Sequence, residues 1–267
     1  MKRFIVTITI LILLASILFG IAWMILKQEN KELENIFCVY EGSQYLVTSY
    51  DDEQEGRVHT SLLMIDSVDK KKQLEENKLA VFLIDTKGKK QKVDSYSVTE
   101  INKIGQCEVY RLYLDFKVKS DVGEMVEYTK LQVGVDTYNV GSMRVEVCKY
   151  EQLDITISIP IMPYEDEQYY FYITNESKRN IEMVAMEYNL ACEKGRKREK
   201  FQKIIKPGEE QEFALGRNFQ ERNVVITPKL ILKINGKKIT TYSDIATETD
   251  VRLTKEDIIA YLEGMKE

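Results

Sequence analysis

Between Phe4 and Leu26 the chain runs for 23 residues without a charged side chain. As an α-helix that stretch reaches roughly 35 Å, enough to cross a hydrocarbon core of about 30 Å with some tilt. Fifteen of its residues are Leu, Ile, Val or Phe, each favouring insertion by about 0.3–0.6 kcal/mol, which outweighs the mild costs of Thr7, Thr9, Ser16 and Gly20. Lys2 and Arg3 precede the run, as at the start of an export signal, and Gly20-Ile21-Ala22 is a passable cleavage site. The apolar run continues past that site through Trp23, Met24, Ile25 and Leu26, so the expectation is a retained signal-anchor rather than a cleaved leader. Ser16 and Gly20 form a small-xxx-small pair, a spacing that lets two membrane helices approach closely. The simpler reading is small residues scattered in a span.

Everything after the run must then fold on one side of the membrane. Lys2, Arg3 and the free amino terminus stand against Lys27 and Lys31 on the far side, a thin charge margin. The three-residue tail, which reads like an export signal, is what favours a cytoplasmic N-terminus. The expected organisation is a cytoplasmic tail over 1–3, the anchor over 4–26, a stalk over 27–35, a β-rich domain over 36–152, and a second, sandwich-like domain with a C-terminal helix over 153–267. Residues 27–267 carry 36 basic and 43 acidic side chains, a formal charge of −7. That acidity disfavours non-specific binding to nucleic acid or to anionic surfaces. Localisation is therefore expected at the cell membrane, single-pass, with the bulk of the chain extracytoplasmic.

Strand periodicity dominates beyond the stalk. Arg111 to Lys119 (RLYLDFKVK) alternates, with Leu112, Leu114, Phe116 and Val118 on one face. A turn at Ser120–Gly123 and another over Asp136–Asn139 predict a meander of at least three strands. Its second strand leans on Met125, Thr129, Leu131, Val133 and Val135, and its third on Met143, Val145 and Val147. Leu79–Ile84 (LAVFLI) predicts a central strand closed by a turn at Asp85–Gly88, and Val68–Asn77 a short polar helix. Ile155–Pro163 reads as an edge strand at a boundary, because proline removes a ladder donor. Further strands are predicted over Tyr169–Thr174, Ile181–Leu190, Phe201–Lys206, Gln211–Leu215 and Val224–Ile234. Lys206-Pro207-Gly208-Glu209 predicts a type II turn, and Asn235-Gly236 a two-residue hairpin. Thr254 can cap a closing helix with an apolar stripe of Ile258, Ile259, Leu262 and Met265, expected to dock on its own domain.

Short strands with frequent turns favour a mainly β fold of two sandwiches. Over about 100 residues the pattern is similar to immunoglobulin-like modules of bacterial surface proteins, including the Pro-Gly-Glu turn before a strand. The resemblance implies an architecture and no particular activity.

Candidate chemistry is sparse. Cys38, Cys107, Cys148 and Cys192 are widely spaced, with no C-x-x-C; they suit disulfides in an oxidising compartment or buried free thiols. His59 is the only histidine, so every nucleophile–histidine scheme depends on it. A cysteine assisted by His59 would resemble the set used by membrane-anchored sortase-like transpeptidases, but no Thr-Leu-x-Thr-Cys segment precedes any cysteine here. No Gly-rich phosphate loop appears, and Asp51-x-Glu53-x-Glu55-Gly56 lacks the bidentate Glu of a calcium loop. No cofactor or metal is expected. The run Lys194-Gly195-Arg196-Lys197-Arg198-Glu199-Lys200 lies between two predicted strands and reads as a hairpin tip. Lys194, Arg196, Lys197 and Arg198 could there meet an anionic polymer or lipid headgroup, against the simpler reading of a solvated loop. Tyr169, Tyr170, Phe171 and Tyr172 alternate sides, so at least half of them belong to a core. Asn175-Glu176-Ser177 is a glycosylation sequon, meaningful only in a eukaryotic secretory host. The leading expectation is a non-enzymatic interaction module with a protein partner in the membrane or envelope. An envelope enzyme and a glycan- or polymer-binding surface module are the alternatives.

Overall fold

The computed structural model describes residues 16, 17, 19, 20, 33–49, 55–149, 153–158, 168–189, 196–216, 223–242, 247, 248, 251 and 253–265. Within the expected span, Ser16, Ile17, Phe19 and Gly20 are helical. Ile17 and Phe19 project outward, 52% and 72% exposed. The remainder of the span, with the stalk up to Glu32, lies outside the described residues. Among the described residues no helix is long and apolar enough to cross a membrane.

The body is mainly β. One sheet has the order β1 (Phe37–Tyr40), β3 (Gly56–Asp66), β7 (Cys107–Val118), β6 (Ser95–Ile104). A larger sheet of seven strands faces it: β18 (Thr247–Glu248), β15 (Val224–Ile226), β2 (Gly42–Ser49), β9 (Asp136–Cys148), β8 (Met125–Val133), β4 (Val81–Asp85), β5 (Lys90–Lys92). Their shared core joins Leu62, Met64, Leu112, Leu114 and Phe116 to Leu46, Leu83, Leu131, Met143 and Val145. Each such side chain contributes roughly 1.5–3 kcal/mol by leaving water. The alternation of RLYLDFKVK is realised: Leu112, Leu114, Phe116 and Val118 are all buried, while Tyr113 is exposed.

In β3 the alternation stops at Thr60, and every residue from Ser61 to Asp66 is buried. The reason is a third layer. The C-terminal helix (Lys255–Gly264) lies on the outer face of this sheet, where Ile258, Ile259 and Leu262 join Leu63, Ile65, Cys38, Cys107 and Val109. Thr254 caps it in a capping box with Asp257, as its sequence predicts. The helix thus docks on the first unit rather than on the second, and Met265, which shares the predicted stripe, stays 48% exposed.

The predicted meander is only half present. β8 and β9 pair, but β7 pairs with β3 and β6 in the facing sheet. The turn after β7, with Gly123 at φ +88°, carries the chain across the sandwich. Periodicity gives the faces of a strand and says nothing of which neighbour it takes. The next turn falls at Gly134–Val135, earlier than predicted: Val133 pairs with Asp136, and Val135 is 90% exposed. A bulge between Tyr128 and Lys130 shifts the inward set to Tyr128, Leu131 and Val133, leaving Met125 outside.

The short helix expected over Val68–Asn77 spans Lys70–Glu75. Its first turn is held by the buried Asp66 carboxylate, which accepts from Lys71 N at 2.6 Å and Val68 N at 2.8 Å. Burial still holds the Asp66 pKa above its ordinary value.

The smaller unit pairs a three-stranded sheet, β10 (Ile155–Ser158), β11 (Gln168–Asn175), β14 (Glu210–Gly216), with a four-stranded one, β13 (Arg196–Ile205), β12 (Ile181–Asn189), β16 (Lys229–Ile234), β17 (Lys237–Tyr242). β10 is an edge strand, as the nearby prolines predict. Phe171 stacks on Phe213 at 5.1 Å, and Phe201 meets both edge-on. The Pro207-Gly208 turn has the type II form, with Gly208 at φ +73° and Glu209 N donating to Lys206 O. Asn235 and Gly236 both take positive φ, as a type I′ hairpin requires.

The predicted strand Val224–Ile234 is two strands in two different sheets. Pro228 lies at the break, and β15 runs parallel to β2 in the large sheet while β16 pairs with β12 and β17. Because β15 alternates, Val225 enters the core of the larger unit, and Val224 and Ile226 enter that of the smaller. Ser43 N donates to Asn223 O at 2.9 Å where β15 begins. A Cβ on Gly42 would lie 2.4 Å from Asn223 O, and one on Gly141 would lie 2.4 Å from Gly42 O. Three backbones meet there at a distance only glycine permits.

Candidate functional site

Cys38 and Cys107 are buried, and Cys148 is half-buried. Cys38, Cys107 and Cys148 are free thiols, and Cys192 lies outside the described residues. Cys38 stands opposite Ile65, and Ile65 opposite Val109, so β3 separates Cys38 from β7, which carries Cys107. Two strand spacings are about 9–10 Å, wider than the roughly 4.4–6.8 Å between the Cα atoms of a disulfide. Burial, with the neighbouring Cys107 and Glu41, pushes the Cys38 thiol up to about 12. Burial also raises Cys107, and burial with Glu146 raises Cys148 to about 11. A nucleophilic cysteine needs the opposite shift.

His59 does not approach them. It projects from the open half of β3, with its side chain 62% exposed and Nδ1 3.8 Å from Asp115 Oδ1, an oxygen that already accepts from Arg57 Nε at 3.1 Å. Six residues along β3 separate His59 from Ile65, the partner of Cys38, a distance of about 20 Å. Cys148 sits in the other sheet beside Tyr242 and Lys229. The described residues therefore assemble no cysteine–histidine pair.

The basic run opens β13, which pairs antiparallel with β12 so that Asn189 faces Arg196 and Glu187 faces Arg198. Lys194 lies outside the described residues. Arg198 is drawn back into the sheet, its Nη1 3.4 Å from the buried Glu187, which Lys229 also approaches at 3.6 Å. Lys197 is likewise engaged. Of the aromatic run, Phe171 is core, Tyr170 is half-buried, and Tyr172 donates to Glu212 at 2.7 Å on the outside.

Asn175 carries a structural role that the sequon conceals. Its side chain is fully buried. Nδ2 donates to Arg179 O at 2.7 Å and Ile205 O at 2.9 Å, while Oδ1 accepts from Ser177 N and Oγ. The amide that a glycan would need is thus enclosed and doubly bonded in the folded chain. In the acidic turn, Glu55 is held by Lys117 at 2.7 Å and Lys119 at 2.5 Å, which keeps its carboxyl below the usual range. No cluster of three or more metal-ligating side chains occurs among the described residues.

A cleft of about 220 Å³ lies between the β4–β5 turn and the β7–β8 turn. Its carboxylates are spent on the fold. Asp85 Oδ1 accepts from Lys87 N and Lys89 N, Glu124 from Ser120 Oγ, and Glu127 from Arg144 Nε and Ser142 Oγ. Inside the larger unit, Gln44 bridges the facing sheets, donating to Ser61 O at 2.7 Å and accepting from Thr60 Oγ1 at 2.7 Å. Such satisfied polar groups fix register.

Sequence reading predicted the turn at Asp85–Gly88 but passed over the lysines that the hairpin of β4 and β5 gathers there. Lys87, Lys89, Lys90 and Lys92 are all exposed there, and among the described residues none makes an ion pair. The signal was four lysines within six positions.

No family model matches the chain, and no curated protein matches it. A solved structure of a protein of unknown function from Porphyromonas gingivalis W83 is similar over 78% of this chain and 99% of that one, at 11% identity and a TM-score of 0.18. A likeness at that level carries no argument.

Proposed function

We propose that the chain is a single-pass, membrane-anchored extracytoplasmic protein whose immunoglobulin-like β body serves as a non-enzymatic interaction or accessory module of a cell-envelope complex. The observation that carries this reading is the uncharged run Phe4–Leu26 placed directly before a polar, net-acidic body. The state of the candidate reactive groups supports binding over chemistry: the thiols of Cys38, Cys107 and Cys148 are all pushed up in pKa, and His59 lies on an open strand beside Asp115, away from them. A protein partner in the membrane or envelope fits such a body, whose acid surplus disfavours nucleic acid.

Two measurements test it. Full-length protein should stay with membranes through alkaline extraction, and protease added to intact cells should digest the body. Protection until the cells are broken would reverse the topology and remove the envelope-facing role. In a functional assay in the native host, His59→Ala and single Cys→Ser variants should retain activity. Loss at His59 together with one cysteine would instead support the transpeptidase-like reading.

A further inference from the structure

The large sheet has a second face, and its two edges differ. At the β15 edge that face is covered, because Val224 and Ile226 enter the core of the smaller unit. At the opposite edge the register lines up Lys130, Ile84 and Lys90 in one row across β8, β4 and β5, and Gln132, Phe82 and Lys92 in the next. Residues directly opposite in neighbouring strands share a face, so Phe82 and Ile84 stand between Lys90 and Lys92 on one side and Lys130 on the other. Both apolar side chains are partly exposed and belong to none of the hydrophobic cores, while Val81 and Leu83, which alternate with them, are buried inward. Lys87 and Lys89 extend the basic group into the turn. Among the described residues none of these five lysines has an ion-pair partner.

We propose that this patch rests on the anionic headgroup surface of the bilayer that holds residues 4–26, an inference that depends on the anchored reading above. The charge argument is local. The chain as a whole has more acids than bases, 43 against 38, yet here five ammonium groups cluster without an ion pair among the described residues. The nearby carboxylates are occupied: Glu127 is held by Arg144 and Ser142, and Asp85 by the backbone of its own turn. The basic run at Arg196–Lys200 lacks this freedom, since Arg198 is tied to Glu187. Apolar side chains framed by lysines suit an interface, with Phe82 and Ile84 at the headgroup boundary and the ammonium groups on phosphate. The tether supplies proximity. Residues 27–35 can span at most about 32 Å, so the body stays within its own diameter of the bilayer and a weak surface attraction acts at high effective concentration.

The test uses full-length protein in nanodiscs of phosphatidylcholine alone and of phosphatidylcholine with phosphatidylglycerol, with lysine acetylation read by mass spectrometry. Lys87, Lys89, Lys90, Lys92 and Lys130 should react about fivefold more slowly on the anionic discs at low salt, the factor expected for a lysine held at a charged surface. The difference should vanish at high salt, and Lys178 and Lys206 in the smaller unit should not change. Amide exchange at Phe82 and Ile84 should slow on the anionic discs, and a Lys90→Gln, Lys92→Gln, Lys130→Gln variant should lose that protection. Equal acetylation on both discs overturns the proposal. Slowing by soluble polyphosphate on neutral discs that matches the effect of anionic lipid also overturns it, in favour of a polymer ligand. Failure of the chain to insert into either disc defeats the anchored reading itself, and this inference with it.

Discussion

The two sandwich-like units of the body are built on the same principle and depend on each other unequally. In the larger, the smaller of its two sheets is covered by the seven-stranded sheet on one face and, beyond Thr60 of β3, by the C-terminal helix on the other. In the smaller, the core centres on Phe171, Phe201 and Phe213, and two of its buried residues, Val224 and Ile226, belong to a strand that lies in the larger unit's sheet. The larger unit also receives Val251, Leu253 and the closing helix from the C-terminal end of the chain. Sequence order and structural dependence therefore diverge: the last segment of the chain completes the first unit, and the second unit leans on a strand hydrogen-bonded to the first.

That asymmetry can be broken most forcefully at β15. Val225→Asp puts an unpaired charge into the larger core and unseats the strand serving the smaller one, at a cost of about 4 kcal/mol. Amide exchange should show β11, β12 and β14 losing protection before β3 and β7. Simultaneous loss in all five would show that the two units are one cooperative body. Asn175→Ala should cost about 2–3 kcal/mol, because it strands the carbonyls of Arg179 and Ile205 and the amide of Ser177. Urea unfolding followed by tryptophan-free probes in each unit should place the loss in the smaller one; an equal loss in both would weaken the asymmetry.

A subtler intervention sharpens the role of the C-terminal helix. The Tyr261 hydroxyl donates to Val39 O at 2.7 Å and accepts from Glu41 N at 3.1 Å, satisfying main-chain groups of the edge strand β1 and its exit. Tyr261→Phe should cost about 1–2 kcal/mol and speed alkylation of Cys38, which lies under the helix. Unchanged alkylation would mean the helix covers the sheet without that bond. The smallest effect expected is with pH. Glu108 and Asp136 are held below the usual carboxylate range by Lys71 and Lys70 respectively. A lowered folded-state pKa contributes stability above the ordinary value and loses it as pH falls through the lowered one. Asp66, raised by burial, works in the opposite sense, since the fold takes up its proton earlier than the unfolded chain does. Melting temperature should therefore decline below about pH 4.5, and Glu108→Gln should flatten that decline; an unaltered slope would remove Glu108 from the account.

Local features were legible without the fold. The alternation of Leu112 to Val118, the Pro207-Gly208 and Asn235-Gly236 turns, the short helix after Asp66 and the Thr254 cap each depend on neighbours within a few residues. Their physics is complete in the sequence. The candidate chemistry was legible only as residue types. Whether His59 approached a thiol depended on registers linking β1 to β3 and β3 to β7, and the fate of Asn175 depended on a carbonyl 30 residues away.

The sequence by itself determined that this chain would be strand-built after its apolar start, because period-two patterning and turn chemistry are written in adjacent residues. Only the tertiary structure decided that β7 and β8 part company, that the segment before Ile234 divides at Pro228 between two sheets, and that the closing helix covers Cys38 and Cys107. Those outcomes rest on which apolar faces meet across long stretches of chain. Burial is non-directional: it rewards an exposed apolar face for meeting any complementary one, and only the assembled layers select which.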